Sequence, residues 1–216
     1  MSSEPPRRRA SAMSPEQRRE AIVTAVLPLV REHGAHVTTK QIAHAAGIAE
    51  GTVFRAFADK TELLHACVTA ALRPDELCAT VRAVPRDIDL AARLTEAAQL
   101  FLEHFTSFGE LVHTLAASGF DLRGGPGGKP AGLPEVREQF IRDLTTALAS
   151  LVDPQELRIP AEDLASYLQA LVLGIRFTAT SSDTSEVDHT AAIRARVDVL
   201  LHGALAETTD DPQESR

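Results

Sequence analysis

A chain of 216 residues, 44% of them hydrophobic, is long enough for a small domain and a larger one, each with its own apolar core. No run approaches the ~18 uninterrupted apolar residues of a membrane span, and the basic N-terminus lacks the apolar stretch of a secretory signal, so a cytoplasmic protein with no membrane partner is expected. The net charge of −8 is divided unevenly: residues 1–65 hold nine Lys/Arg and seven Asp/Glu, a net +2, and residues 66–216 hold thirteen and twenty-three, a net −10. A mildly basic head on an acidic body suits a molecule that meets a polyanion with one end only. Residues 1–13, rich in Ser, Pro and Arg, read as a disordered tail. Ser14-Pro15-Glu16 then starts a helix, with Ser as N-cap and Pro at the first helical position. That helix runs to His33 and stops at Gly34, with Ile22, Val26, Leu29 and Val30 inward and Pro28 interrupting its hydrogen bonds.

Residues 38–60 carry the sharpest signal. Thr39 serves as N-cap of a short helix whose apolar positions are Ile42, Ala43 and Ala46, and Gly47 can enter the left-handed region and stop it. A second short helix begins near Ala49–Glu50 and is expected to turn Val53, Phe54 and Phe57 inward, with contact to DNA as the alternative for the two phenylalanines. Two short helices joined by a tight glycine turn form a helix-turn-helix, whose second helix lies in the DNA major groove.

Residues 15–67 resemble the DNA-binding domain of the TetR family of bacterial transcriptional regulators. The family pattern is met by Thr38, Thr39, Ile42, Ala43, Ala46, Gly47, Ile48, Gly51, Thr52, Val53, Phe54, Phe57, Lys60, Leu63 and Leu64. Three positions depart from it. Ala49 stands where Ser is usual, removing a side-chain N-cap worth ~1 kcal/mol. Phe54 replaces the usual Tyr and its phosphate-binding hydroxyl, and Ala56 replaces a common Tyr or His.

Beyond the head, Asp59 caps a fourth helix with Leu63, Leu64, Val68 and Leu72, which Pro74 kinks or restarts on the way to Val84. Asp87 or Asp89 opens a helix over 88–108, and a short helix at 109–118 follows. Residues 119–134, with six glycines and three prolines, read as an exposed mobile loop. Helical periodicity resumes at 134–152, at 161–181 and at 187–206, before an acidic tail, 207–216, expected to be disordered. The fold expected is all-α, with about nine helices. A three-helix helix-turn-helix domain spans 14–60, and a larger helical domain for ligand binding and dimerisation spans 61–206.

Outward polar residues on the second short helix reach base edges, and flanking groups grip phosphates. Arg55 pairs with guanine, and Thr52 and Glu50 face the bases; Glu50 either accepts from cytosine or simply answers the helix dipole. Gly51 allows close approach. Thr39, Lys40 and Lys60 are the phosphate candidates, Thr39 and Lys60 also by the family resemblance; Lys40 has the alternative of a plain solvated side chain. Arg7, Arg8 and Arg9 form either a minor-groove arm or a solubilising run.

In the larger domain no catalytic constellation is present, so neither an enzyme nor a cofactor is expected, and the scattered histidines lack a metal-binding arrangement. Phe101, Phe105, Leu115, Phe140, Leu144 and Phe177 are candidate pocket-lining residues as well as ordinary core. Arg176 either meets an anionic ligand group or pairs with an acid across a dimer. Leu164, Leu168, Leu171, Val172 and Ile175, with Ile193, Val197, Leu200 and Leu201, form two apolar helices expected to build a four-helix dimer interface. Cys67 and Cys78 are core or surface thiols, with a redox sensor as the alternative. The resemblance implies a homodimeric repressor on a palindromic double-stranded operator, released by a small, largely apolar effector. A helical small-molecule-binding protein with weak or vestigial DNA binding is the second reading.

Overall fold

The computed structural model describes residues 13–122, 124, 133–178 and 189–203, the side chains of 176–178 excepted. Residues 1–12 of the expected N-terminal tail 1–13, the tail 207–216, the arm Arg7–Arg9, most of the glycine-rich loop and the side chains of Arg176 and Phe177 lie outside these residues. The regular elements among the described residues are all helices, with no strand. They form two compact units, Met1–Arg73 with Ser107–Arg137, and Pro74–Thr106 with Glu138–Arg216.

In the first unit, α1 (Pro15–His33) opens with a full capping box: Ser14 Oγ accepts from the Gln17 N–H at 3.2 Å and Gln17 Oε1 from the Ser14 N–H at 2.9 Å. It buries Ile22, Val23, Val26 and Val30, while Pro28 is accommodated on its exposed side. Gly34 ends it at φ 55°, where any Cβ would also collide with Ser118 Oγ, so glycine is required twice over. After one 3₁₀ turn, α2 (Thr39–Ala45) begins. Its N-cap is Thr38 and not Thr39: Thr38 Oγ1 accepts from the Gln41 N–H at 3.2 Å, and Gln41 answers at the Thr38 N–H. Only Thr38 has a glutamine three residues on, and that completed box decides between the two threonines.

Gly47, at φ 64°, makes the tight turn into α3 (Glu50–Ala56). As Ala49 implies, α3 starts without a side-chain cap. Asp59 caps α4 (Lys60–Ala71), its carboxylate accepting from the Glu62 N–H at 2.7 Å. These helices close on Ile42, Val53, Phe57, Leu63, Leu64 and Cys67, together with Leu111 and Leu115.

In the second unit, α5 (Asp75–Arg82) starts at Pro74, so the proline restarts the chain as a separate helix and α4 does not continue to Val84. A single helix, α6 (Leu90–Ala117), replaces the two expected over 88–118; its residues 90–106 belong to the second unit and 107–117 to the first. Gly109 sits in its interior at a cost of ~1 kcal/mol, which burial of Leu111 and Leu115 just after it outweighs. Asp89, one of the two expected openers, accepts from the Ala92 N–H at 2.8 Å. Arg93 ties this end down by donating to the carbonyls of Leu151, Ile88 and Arg86 at 2.6, 3.0 and 3.2 Å. Then come α7 (Leu133–Ala149), α8 (Ala161–Thr178) and α9 (His189–His202), the last two packed together.

Candidate nucleic-acid interface

The short helix α3 is fixed in place by the side chains around it. Val53 and Phe57 anchor its inner side, 3% and 1% exposed. The guanidinium of Arg19, on α1, lies 4.2 Å from the centre of the Phe57 ring and donates to the Ala56 carbonyl, one of those a helix end leaves without an intrahelical partner. It also pairs with Glu62 Oε1 at 2.6 Å, and Glu62 Oε2 accepts from the Ala58 N–H at 2.6 Å. One arginine and one glutamate thus hold the exit of α3 against α1 and α4. The Ala58 N–H first, and the Arg19 guanidinium after it, keep the Glu62 carboxyl below its ordinary pKa.

On the opposite side, Glu50, Gly51 and Arg55 are exposed and Thr52 is half-buried. Lys40 is exposed on α2, and Thr39 is half-buried at the first position of that helix. Lys60 is more committed than its sequence position implies. Its ammonium donates to the carbonyls of Ala35 at 2.7 Å and Val37 at 3.2 Å, bracing the turn that leads into α2. Phe54 does not turn inward. It is 52% exposed on the same face as Glu50, Gly51 and Arg55. The inner side of a seven-residue helix holds few side chains, and Val53 with Phe57 already fill it.

The second unit gathers part of the expected pocket lining. The Phe101 ring lies 6.1 Å from both Phe105 and Phe140, and His104 stacks on Phe140 at 5.5 Å. Phe101, Phe140 and Leu144 are buried and Phe105 half-buried. Leu115 is placed elsewhere, in the core of the first unit. Helical periodicity locates it on an inward face without telling which core that face meets.

Among the nine residues expected at a dimer interface, Leu164, Leu168, Val172, Ile175, Ile193 and Val197 are buried within one protomer. Leu171, Leu200 and Leu201 are half-buried. The most apolar stripe of each helix therefore serves the protomer's own core. A second stripe faces out: Tyr167, Ala170, Leu171 and Gly174 on α8, and Ala192, Ala195 and Val199 on α9, with Tyr167 54% and Val199 49% exposed.

Both cysteines are buried, and burial pushes the Cys67 thiol up to about 12 and the Cys78 thiol in the same direction. Such thiols are poor nucleophiles at neutral pH, which disfavours the redox alternative. Among the described residues no cluster of three His, Cys, Asp or Glu could hold a metal, and no helix is long and apolar enough to cross a membrane.

The sequence profile of the bacterial regulatory proteins of the tetR family matches residues 22–67, the segment that builds most of this interface. No curated protein sequence matches the chain. Among solved structures, a Mesorhizobium loti protein assigned to the TetR-family transcriptional regulators is similar over 87% of this chain and 96% of its own, with a TM-score of 0.61 at 15% identity. A transcriptional regulator from a Rhodococcus species is similar over 86% and 96%, at 0.59 and 22%. The transcriptional regulator FadR from Bacillus subtilis, in complex with stearoyl-CoA, is similar over 86% and 99%, at 0.55 and 15%. Identities this low speak for a shared fold, whereas the head carries the signature in its sequence. Residues 22–67 therefore match the tetR family of bacterial regulatory proteins in sequence, and the chain as a whole shares the fold of these solved regulators.

Proposed function

We propose that the protein is a homodimeric transcriptional repressor that holds a palindromic operator and releases it when a small, largely apolar effector binds. The observation that carries this reading is the outward face of α3, where Glu50, Gly51, Thr52 and Arg55 are presented together while Arg19 and Glu62 brace the helix from behind and Lys60 braces the turn into α2. Arg55 reads guanine and Glu50 cytosine. Thr39, Lys40 and the remaining donor of Lys60 meet phosphates. The modest +2 of residues 1–65 supplies the electrostatic attraction, and the acidic remainder keeps the rest of the chain off the duplex.

Dimerisation places two heads about one turn of DNA apart. The outer stripe of Tyr167, Ala170, Leu171 and Val199 suits this contact, because its small residues let helices approach closely and Tyr167 and Val199 are left about half exposed in a single protomer. An effector seated beside Phe101, Phe105, Phe140 and Leu144 shifts the population toward a state whose heads no longer match two successive grooves. The acyl-CoA carried by the similar Bacillus subtilis regulator supports an effector with a long apolar part.

The second reading, a small-molecule-binding protein with weak DNA affinity, is favoured by one observation, the missing side-chain cap at Ala49. The two are separated by selecting duplexes from a random library with the full chain and measuring affinity against salt. The repressor reading requires a palindromic product, a steep fall in affinity with salt, and release by an apolar compound that also raises the melting temperature. A chain that selects no duplex yet is stabilised by such compounds establishes the second reading.

A further inference from the structure

Phe54 is an anomaly in the first unit. Among the described residues of that unit the other large apolar side chains are buried or half-buried, apart from Met13, yet this ring stands 52% exposed. It does so on the one surface proposed to enter DNA, between Glu50 and Gly51 one turn before it and Arg55 beside it, all exposed. Helical side chains lean toward the N-terminus, so Phe54 is directed toward the first turn of α3, the end of the helix that reaches base edges first. At Gly51 even an added Cβ would meet nothing within 4 Å, so the backbone beside this ring stands open.

A phenyl ring offers no donor or acceptor. Set against the hydrogen-bonding edge of a base it would leave that group dry and unpaired, a costly arrangement. The apolar feature of the major groove is the thymine C5-methyl, which aromatic and other apolar side chains contact. We infer that Phe54 is a specificity-determining residue that selects a thymine in each half-site by covering its methyl group. The inference rests on the DNA-binding reading above and adds to it a base preference at one position.

The test uses the full chain and a duplex it has itself selected from a random library. Each thymidine of one half-site is replaced in turn by deoxyuridine, which removes the methyl and leaves every hydrogen-bonding group in place. Affinity is measured at fixed salt for the parent protein and for Phe54→Ala. At one thymidine the parent should lose about four-fold, the factor expected for uncovering one methyl-sized group. Phe54→Ala should bind the thymidine duplex at least that much more weakly and be indifferent to deoxyuridine there. Because the ring is exposed, this variant should melt with the parent, which separates a contact from a folding defect. If Phe54→Ala responds to every deoxyuridine as the parent does, or no position shows an effect, the inference is overturned while sequence-selective binding stands. If no duplex is selected, the DNA-binding reading falls and takes this one with it.

Discussion

Arg19→Ala tests whether the recognition helix is held from behind as the geometry states. The change removes a pair with Glu62 at 2.6 Å whose side chains are 38% and 22% exposed, a bond to the Ala56 carbonyl, and a guanidinium 4.2 Å from the Phe57 ring. A pair this exposed is screened and contributes ~1 kcal/mol, the upper end of the range for surface ion pairs. The carbonyl bond, made by a charged donor at a part-buried site, adds ~1 kcal/mol, and the cation–π contact ~0.5 kcal/mol. The three share one side chain and are not independent, so a loss of about 2 kcal/mol is expected, read as the shift of the urea midpoint at unchanged slope. A domain several kcal/mol stable remains folded at 25 °C after such a loss, so DNA binding can be measured on folded protein. There the operator should lose about ten-fold and random duplex less than two-fold, because a loosened α3 spoils base contacts more than phosphate contacts. Glu62→Gln combined with Arg19→Ala should cost about 1 kcal/mol less than the two single losses added together. An Arg19→Ala protein within about 0.5 kcal/mol of the parent, the range of an ordinary surface substitution, refutes the bracing argument.

Arg55→Ala should cost ~1–3 kcal/mol on the operator and relax preference at one base pair, checked by repeating the duplex selection with the variant. Acid should loosen the first unit: Glu62 has its carboxyl pKa lowered by folding, so its contribution is fully present above the unfolded carboxyl value and is lost as pH falls through the folded one. Melting followed from pH 6 downward should fall less steeply for Glu62→Gln than for the parent below about pH 4. Tyr167→Glu, placed on the outer stripe of α8, should give folded monomers by light scattering at micromolar concentration, whereas Leu168→Asp should instead unfold the protomer. A dimer that survives both Tyr167→Glu and Val199→Asp moves the interface elsewhere.

The head was legible in the sequence because its constraints are local. Ser14 with Gln17, Gly34, Gly47 and Asp59 each mark an element boundary through bonds made within a few residues. What the sequence left open inside the head was a choice between neighbours with the same chemistry. Thr38 and Thr39 can both cap, and Gln41, at the right spacing from one of them, settles it. Lys60 reads as a phosphate ligand by position; that its ammonium also holds the carbonyls of Ala35 and Val37 does not show in the sequence, because they come from a turn more than twenty residues earlier. The role of Arg19 is hidden in the sequence for the same reason. Its partners Ala56, Phe57 and Glu62 lie 37 to 43 residues away, and nothing local distinguishes it from Arg18.

The C-terminal helices show a different limit. Periodicity finds the stripe of α8 richest in Leu, Val and Ile, and such a stripe is equally suited to a protomer's own core and to an interface between copies. The core takes it first, because every molecule must bury that surface to fold, whereas an interface need only be good enough at working concentration. The contact surface should therefore be sought on the next best stripe, where large residues alternate with small ones. On α8 that stripe is Tyr167, Ala170, Leu171 and Gly174, spaced at three, one and three residues, and it lies about a third of a turn round the helix from Leu164, Leu168, Val172 and Ile175. The same logic places Val199 outside Ile193 and Val197 on α9. Phe54 obeys it too: α3 has room for Val53 and Phe57 on its inner side, so a third large apolar side chain must face outward, onto whatever the helix binds.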